Sequence, residues 1–170
     1  RVCAALFCAI PPTGDRVYLY DELYLANCDA DRFAREMKAK CSGQSIRAFV
    51  IDAHGSARTE AGGKSIRRQY SEALKAHGVK SETTGHGFVL GSDDVAGRVL
   101  AVHDWMRVRQ DGQPKLRCLK AFLPNFAYEI QRYYKKRVKG GTDGAWIISD
   151  MPDDKPGKPN HLMACLCYLA

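Results

Sequence analysis

Ile46-Arg-Ala-Phe-Val-Ile-Asp52 is an apolar run broken only by Arg47 and by the carboxylate that ends it. A strand half open to water alternates polar and apolar residues. A nearly continuous apolar strand is expected where helices cover both faces of a sheet. This stretch therefore predicts a buried strand in a layered α/β fold. The residues after it, AHGSARTEAGGK at 53–64, form a loop of mostly small side chains. In open α/β sheets, ligands collect at the carboxyl ends of strands. Asp52 stands at such an end. Its other reading is a carboxylate that caps the following loop.

Working outward, Val2 to Ile10 is an apolar strand, and Pro11-Pro-Thr-Gly-Asp15 is turn chemistry. Arg16 to Glu22 completes a hairpin with a five-residue connection. Residues 29–40 read as a helix, with Asp29 at its N-cap and Asp31 in its first turn. Downstream, Ser65 caps a helix to about His77, and Gly78-Val79 begins a short strand. Ser92 or Asp93 caps a helix through Met106, and residues 114–120 form a strand. Pro124-Asn125 opens a helix to about Arg137. Residues 140–144 are a turn, 146–150 an extended piece and 151–159 an irregular linker. Asn160 caps a final helix, His161 to Ala170. There is no internal repeat. The expected architecture is a mixed sheet with helices on both faces.

A chain of 170 residues is about one domain. With 45% hydrophobic and 26% charged residues, it fits a globular fold and excludes a disordered tail or a collagen-like fibre. No run approaches the ~18 apolar residues that span a bilayer, so no membrane partner is expected. The first strand lacks a basic leader region and a small-residue cleavage site, so it does not read as a signal peptide. Basic residues outnumber acidic ones by 26 to 19, giving +7 and a pI near 9.1. That balance points to a polyanionic partner, above all nucleic acid. The seven cysteines include no C-x-x-C pair, which argues against a zinc site. Most lie in apolar company and read as buried free thiols in a reducing, intracellular setting. Cys165, one helical turn after His161, has a base in reach. Its apolar neighbours mark it as an inert thiol.

Five segments carry a family resemblance. They are Arg16-Val-Tyr-Leu-Tyr-Asp-Glu-Leu-Tyr24, Val50-Ile-Asp52, Gly63-Lys-Ser-Ile-Arg-Arg-Gln-Tyr70, Pro124-Asn-Phe-Ala-Tyr-Glu-Ile-Gln-Arg-Tyr133 and Lys158-Pro-Asn-His-Leu-Met-Ala-Cys-Leu-Cys-Tyr168. Taken in order along nearly the whole chain, they resemble the nuclease domain of phage large terminase subunits. The resemblance implies a ribonuclease-H-like fold, two Mg²⁺ or Mn²⁺ ions, and cutting of double-stranded concatemeric DNA during genome packaging. It implies an upstream ATPase domain, a portal and a small terminase subunit as partners, and a host-cell cytoplasmic location. No P-loop is present, since Gly62-Gly63-Lys64-Ser65 lacks the first glycine. The chain thus reads as a single nuclease domain.

Two departures stand out. The family's first strand carries a metal-binding aspartate, and residues 2–10 match the strand after it. The resemblance therefore implies a catalytic strand upstream of Arg1. The family's closing helix reads His-x-x-Asp, whereas this chain has His161-x-x-Ala164. Alanine cannot bind a metal, so the site is expected to be disabled, whether by engineering or by natural decay. The implied catalytic positions are Asp52, His161 and Ala164. Asp52 and His161 are the implied metal ligands, with Glu22 at the edge and Asp150, Asp153 or Asp154 as substitute carboxylates. The implied chemistry is in-line attack of a metal-activated water, with two ions ~3.5–4 Å apart. Arg58, Lys64, Arg67 and Arg68, and Lys135 with Lys136 at the end of the helix from Pro124, are the expected phosphate contacts. The alternatives are a catalytically dead module that grips DNA or a portal, and another ribonuclease-H-like nuclease such as a junction resolvase. An α/β hydrolase fails for want of a G-x-S-x-G elbow.

Overall fold

A computed structural model describes residues 2–56, 63–133, 135–139, 146–152 and 160–170. In chain order the elements are β1 (Val2–Ala9), β2 (Val17–Ala26), α1 (Ala30–Cys41), β3 (Val50–Ile51), α2 (Ile66–Ala76), β4 (Val89–Leu90), α3 (Val95–Met106), β5 (Leu116–Cys118), α4 (Pro124–Ile130), β6 (Lys135–Lys139), β7 (Trp146–Pro152) and α5 (His161–Leu169). Strands β1, β2 and β5 form one sheet in that order, while β3 pairs with β4 and β6 with β7. The chain divides into two compact units. One comprises residues 1–4, 23–93 and 169, and the other residues 5–22, 94–168 and 170.

In the first unit, the Asp29 carboxylate accepts the Arg32 N–H at 2.8 Å and starts α1, as expected. Ser65 does the same for α2, through the Arg68 N–H. Each helix has one apolar face. Phe33, Ala34 and Met37 of α1 and Tyr70 and Leu74 of α2 are buried, and the Phe33 and Tyr70 rings meet edge-on at 5.2 Å. Burying side chains of this size contributes about 1.5–3 kcal/mol each.

Two strand expectations need correction here. Gly78-Val79 does not begin a strand but closes α2. The Val79 N–H reaches the Leu74 carbonyl and the Gly78 N–H reaches that of Lys75, with Gly78 at φ +69°. That is a Schellman cap, which needs a left-handed residue where glycine stands. The strand expected over 46–52 is only two residues long. The backbone at 46–51 does run beside 82–91, and Ile46, Arg47, Phe49 and Ile51 all give carbonyls to it. A tight turn around Gly85 (φ +60°) interrupts that ladder. The pairing that remains is parallel, Val50 beside Val89 and Ile51 beside Leu90. Val50 is 39% exposed, so this strand is not covered on both faces. The buried apolar residue is Phe49, whose ring lies tilted against that of Phe88 at 5.9 Å.

In the second unit, β2 and β5 run parallel, with Val17 beside Leu116, Tyr18 beside Arg117 and Leu19 beside Cys118. Val17, Leu19 and Leu116 point into a core that also holds Val99, Phe126 and Leu166. Asp94, rather than Ser92 or Asp93, caps α3, accepting the Gly97 N–H at 2.9 Å. Helix α4 stops at Ile130 and not near Arg137. Residues 135–139 instead form β6, antiparallel to β7, with Lys139 beside Trp146. Cross-strand pairing with the segment Trp146-Ile-Ile148 outweighs the helical preference of the lysines and arginine here. The turn expected at 140–144, and the linker beyond Pro152, lie outside the described residues.

Candidate functional site

Asp52 follows β3 directly, and a short 3-10 turn at Ala53–Ser56 comes next. The Gly55 N–H closes that turn on the Asp52 carbonyl at 2.8 Å. Asp52 Oδ1 accepts the His54 backbone N–H at 3.1 Å, and the His54 ring Nδ1 lies 3.4 Å from the same oxygen. That ring nitrogen also lies 3.6 Å from Asp93 Oδ1. The capping reading of Asp52 is visible in these contacts. One oxygen caps the turn, while Oδ2 takes no hydrogen bond among the described residues. The side chain is 42% exposed and open to a ligand from solvent.

The second unit contains Glu22, His161, Ala164 and Asp150. Glu22 is 7% exposed, and both of its oxygens are engaged. Oε1 accepts the Asn125 backbone N–H at 2.8 Å and the Asn125 side-chain amide at 2.7 Å, and Oε2 accepts the Phe126 N–H at 2.8 Å. Helix α4 has Leu123 at its N-cap position and no side-chain cap of its own. Glu22 supplies that cap from β2.

Glu129 repeats the device one step along the chain. It is 1% exposed and accepts the N–H groups of His161, Leu162 and Met163 at 3.1, 2.7 and 3.1 Å. Asn160, expected to cap α5, makes no side-chain cap bond, and Glu129 takes its place. An anion at the positive end of a helix dipole, hydrogen-bonded to otherwise unpaired N–H groups, is strongly favoured. Sequence reading passed over Glu129 because a glutamate inside a helix looks like an ordinary surface residue. No local signal identifies it, since Asn160 stands at the N-cap and is itself a residue type suited to capping. His161 is exposed in the first turn of that helix, and Ala164 is half-buried one turn on. Burial, with Glu129 nearby, pushes the Cys165 thiol up to about 12, consistent with an inert thiol.

The expected phosphate contacts fare differently from one another. Arg58 lies outside the described residues, as do Asp153 and Asp154. Lys64 and Arg68 both bond the Glu72 carboxylate, at 2.6 and 3.0 Å, and hold its pKa below the usual range. Arg67 is half-buried. Lys135 and Lys136 belong to β6, not to the end of a helix, so no macrodipole accounts for their position.

Among the described residues, no three His, Cys, Asp or Glu groups converge as a metal centre. Asp52, through its open Oδ2, can offer a hard cation one carboxylate, and Asp93 lies near the same His54 ring. A magnesium-type ion commonly takes one or two carboxylates and completes its shell with water and substrate phosphate. A second ion finds no comparable donor set among the described residues. Ala164 has no donor atom, and Glu22 and Glu129 are committed to helix ends.

No protein-family model matches the chain, and no curated protein matches its sequence. Among solved structures, the chain is similar to the nuclease domain of g2p, the large terminase of bacteriophage SPP1, determined with bound Mn. The likeness covers 97% of this chain and 75% of that one, with a TM-score of 0.55 and 19% identity. It establishes the fold. The chain has the mixed α/β, ribonuclease-H-like architecture of a phage terminase nuclease domain, in agreement with the resemblance read from its sequence.

Proposed function

We propose that this chain is a nuclease domain of the large-terminase type, a metal-dependent endonuclease acting on double-stranded DNA during genome packaging. The observation that carries the proposal is the fold likeness to a manganese-bound terminase nuclease over 97% of the chain. A half-exposed aspartate at a strand end adds support. Asp52 would hold a divalent cation, Mg²⁺ or Mn²⁺, with its half-exposed carboxylate. A bound ion of this kind lowers the pKa of an attacking water and offsets charge on the phosphate. His54 fixes the Asp52 carboxylate through its backbone N–H. Glu22 belongs to the scaffold in this reading. In the cell, the domain works in the host cytoplasm with an ATPase domain, a portal and a small terminase subunit.

Ala164 is the position at which activity is limited. A plasmid-nicking assay in Mn²⁺ compares the chain with its Ala164→Asp variant. A gain of at least about tenfold is expected, the scale of one transition-state contact. Equal nicking by both proteins would remove position 164 from the catalytic set. No nicking by either, with both folded and bound to duplex, would favour a module that grips DNA without cutting it.

A further inference from the structure

We propose that the turn after α3 and the outward side of β5, within residues 104–122, grip the phosphate backbone of duplex DNA. The choice of polyanion rests on the nuclease reading; the surface itself does not. This segment carries five cations, Arg107, Arg109, Lys115, Arg117 and Lys120, against two carboxylates, Asp104 and Asp111. Asp111 is taken up by Arg16, from the loop between β1 and β2. Asp104 is a loose partner of Arg107, at 3.9 Å. Arg109 also lies near Asp15 and Asp111, which leaves Lys115, Arg117 and Lys120 without an ion pair among the described residues. Lys64 and Arg68, by contrast, share the charge of Glu72.

The segment is also held in shape. Val108 bridges Pro114, the Arg109 N–H reaches the Gln113 carbonyl, and Gly112 turns the chain at φ +74°. The Arg109 guanidinium donates to the Asp15 carbonyl at 2.8 Å and ties the turn down. A surface ordered in advance loses little entropy on binding.

Strand alternation sets the facing. Val17, Leu19 and Leu116 are buried, so Tyr18 and Arg117, adjacent in register, face outward. Tyr18 is 40% exposed. Lys115 lies 5.3 Å over the Trp105 ring, which orients its ammonium without neutralising it. Val108 and Phe122, 65% and 60% exposed, border the cations. Spaced cations with a tyrosine hydroxyl and apolar neighbours suit phosphate and sugar, and no deep pocket is required.

The test is binding of a fluorescent duplex to the 170-residue chain, without divalent metal, across a range of salt. One variant carries Arg107→Gln, Lys115→Gln, Arg117→Gln and Lys120→Gln. A charge-matched control carries Arg35→Gln, Lys38→Gln, Lys75→Gln and Lys80→Gln in the first unit. Circular dichroism verifies that both are folded. Each lost phosphate contact flattens the slope of log K against log salt by ~0.9. The first variant is expected to lose about 3–4 from that slope and at least about a hundredfold in affinity at ~0.1 M salt. The control is expected to keep the native slope. Equal losses in both variants, or none in the first, would overturn the proposal and leave the nuclease reading standing. A native chain that binds polyglutamate but no duplex would overturn both.

Discussion

Glu129 carries a carboxylate with 1% of its surface exposed, and three N–H groups of α5 compensate for that burial. Glu22 does the same for α4. A buried acceptor that loses its charge leaves donors unsatisfied, and hydrogen bonds to a charged group contribute about 1.5–3 kcal/mol. Glu129→Gln keeps the size but places an amide N–H₂ against backbone N–H groups. It is expected to cost about 2–4 kcal/mol in urea unfolding, and Glu22→Gln about as much. A loss below about 0.5 kcal/mol in either variant would remove the capping role. Cys165 gives a second check at this scale. A thiol pushed up to about 12 is almost wholly protonated at neutral pH, so alkylation of the folded chain should leave it unmodified. Mass spectrometry after iodoacetamide treatment reads this directly. The helix-capping aspartate and serine, Asp29 and Ser65, were legible in the sequence because each acts on its own helix. Glu22 and Glu129 were not, since each acts on a helix far along the chain.

At the scale of elements, α2 shows what local signals decide. Its N-cap is Ser65, and its end is the cap built on Gly78. A β-carbon at Gly78 would meet nothing within 4 Å, so Gly78→Ala pays only in backbone strain at φ +69°. About 1 kcal/mol of destabilisation is expected, read from the midpoint of denaturant unfolding. An unchanged midpoint would show that the cap tolerates a side chain. Glu72 adds a pH dependence. Hydrogen bonds from Lys64 and Arg68 hold its folded pKa below the usual carboxylate value. Its contribution is therefore present above the unfolded value and fades as pH falls through the folded one. The melting difference between the chain and Glu72→Gln should be seen near neutral pH and shrink as pH falls through the folded pKa of Glu72. The strand over 46–52 misled because its apolar run reflects one buried phenylalanine beside an interrupted ladder, not a two-sided burial. The segment 135–139 misled because lysine and arginine favour a helix locally, and pairing with β7 overrode that preference.

For the molecule as a whole, the order of hairpin, helices and strands was readable along most of the chain, and it matches the fold of a terminase nuclease. Asp52 was readable as a strand-end carboxylate. Its neighbour His54 joins it through the local turn, while Asp93 comes near that histidine only through the fold. The central claim is that the carboxylate of Asp52 serves a metal-dependent nuclease. The most direct measurement is plasmid nicking in Mn²⁺ by Ala164→Asp, with and without Asp52→Asn. Loss of at least about a hundredfold in rate on adding Asp52→Asn, with duplex affinity kept in the absence of metal, is the predicted result. Nicking that persists at the same rate without the Asp52 carboxylate would contradict it.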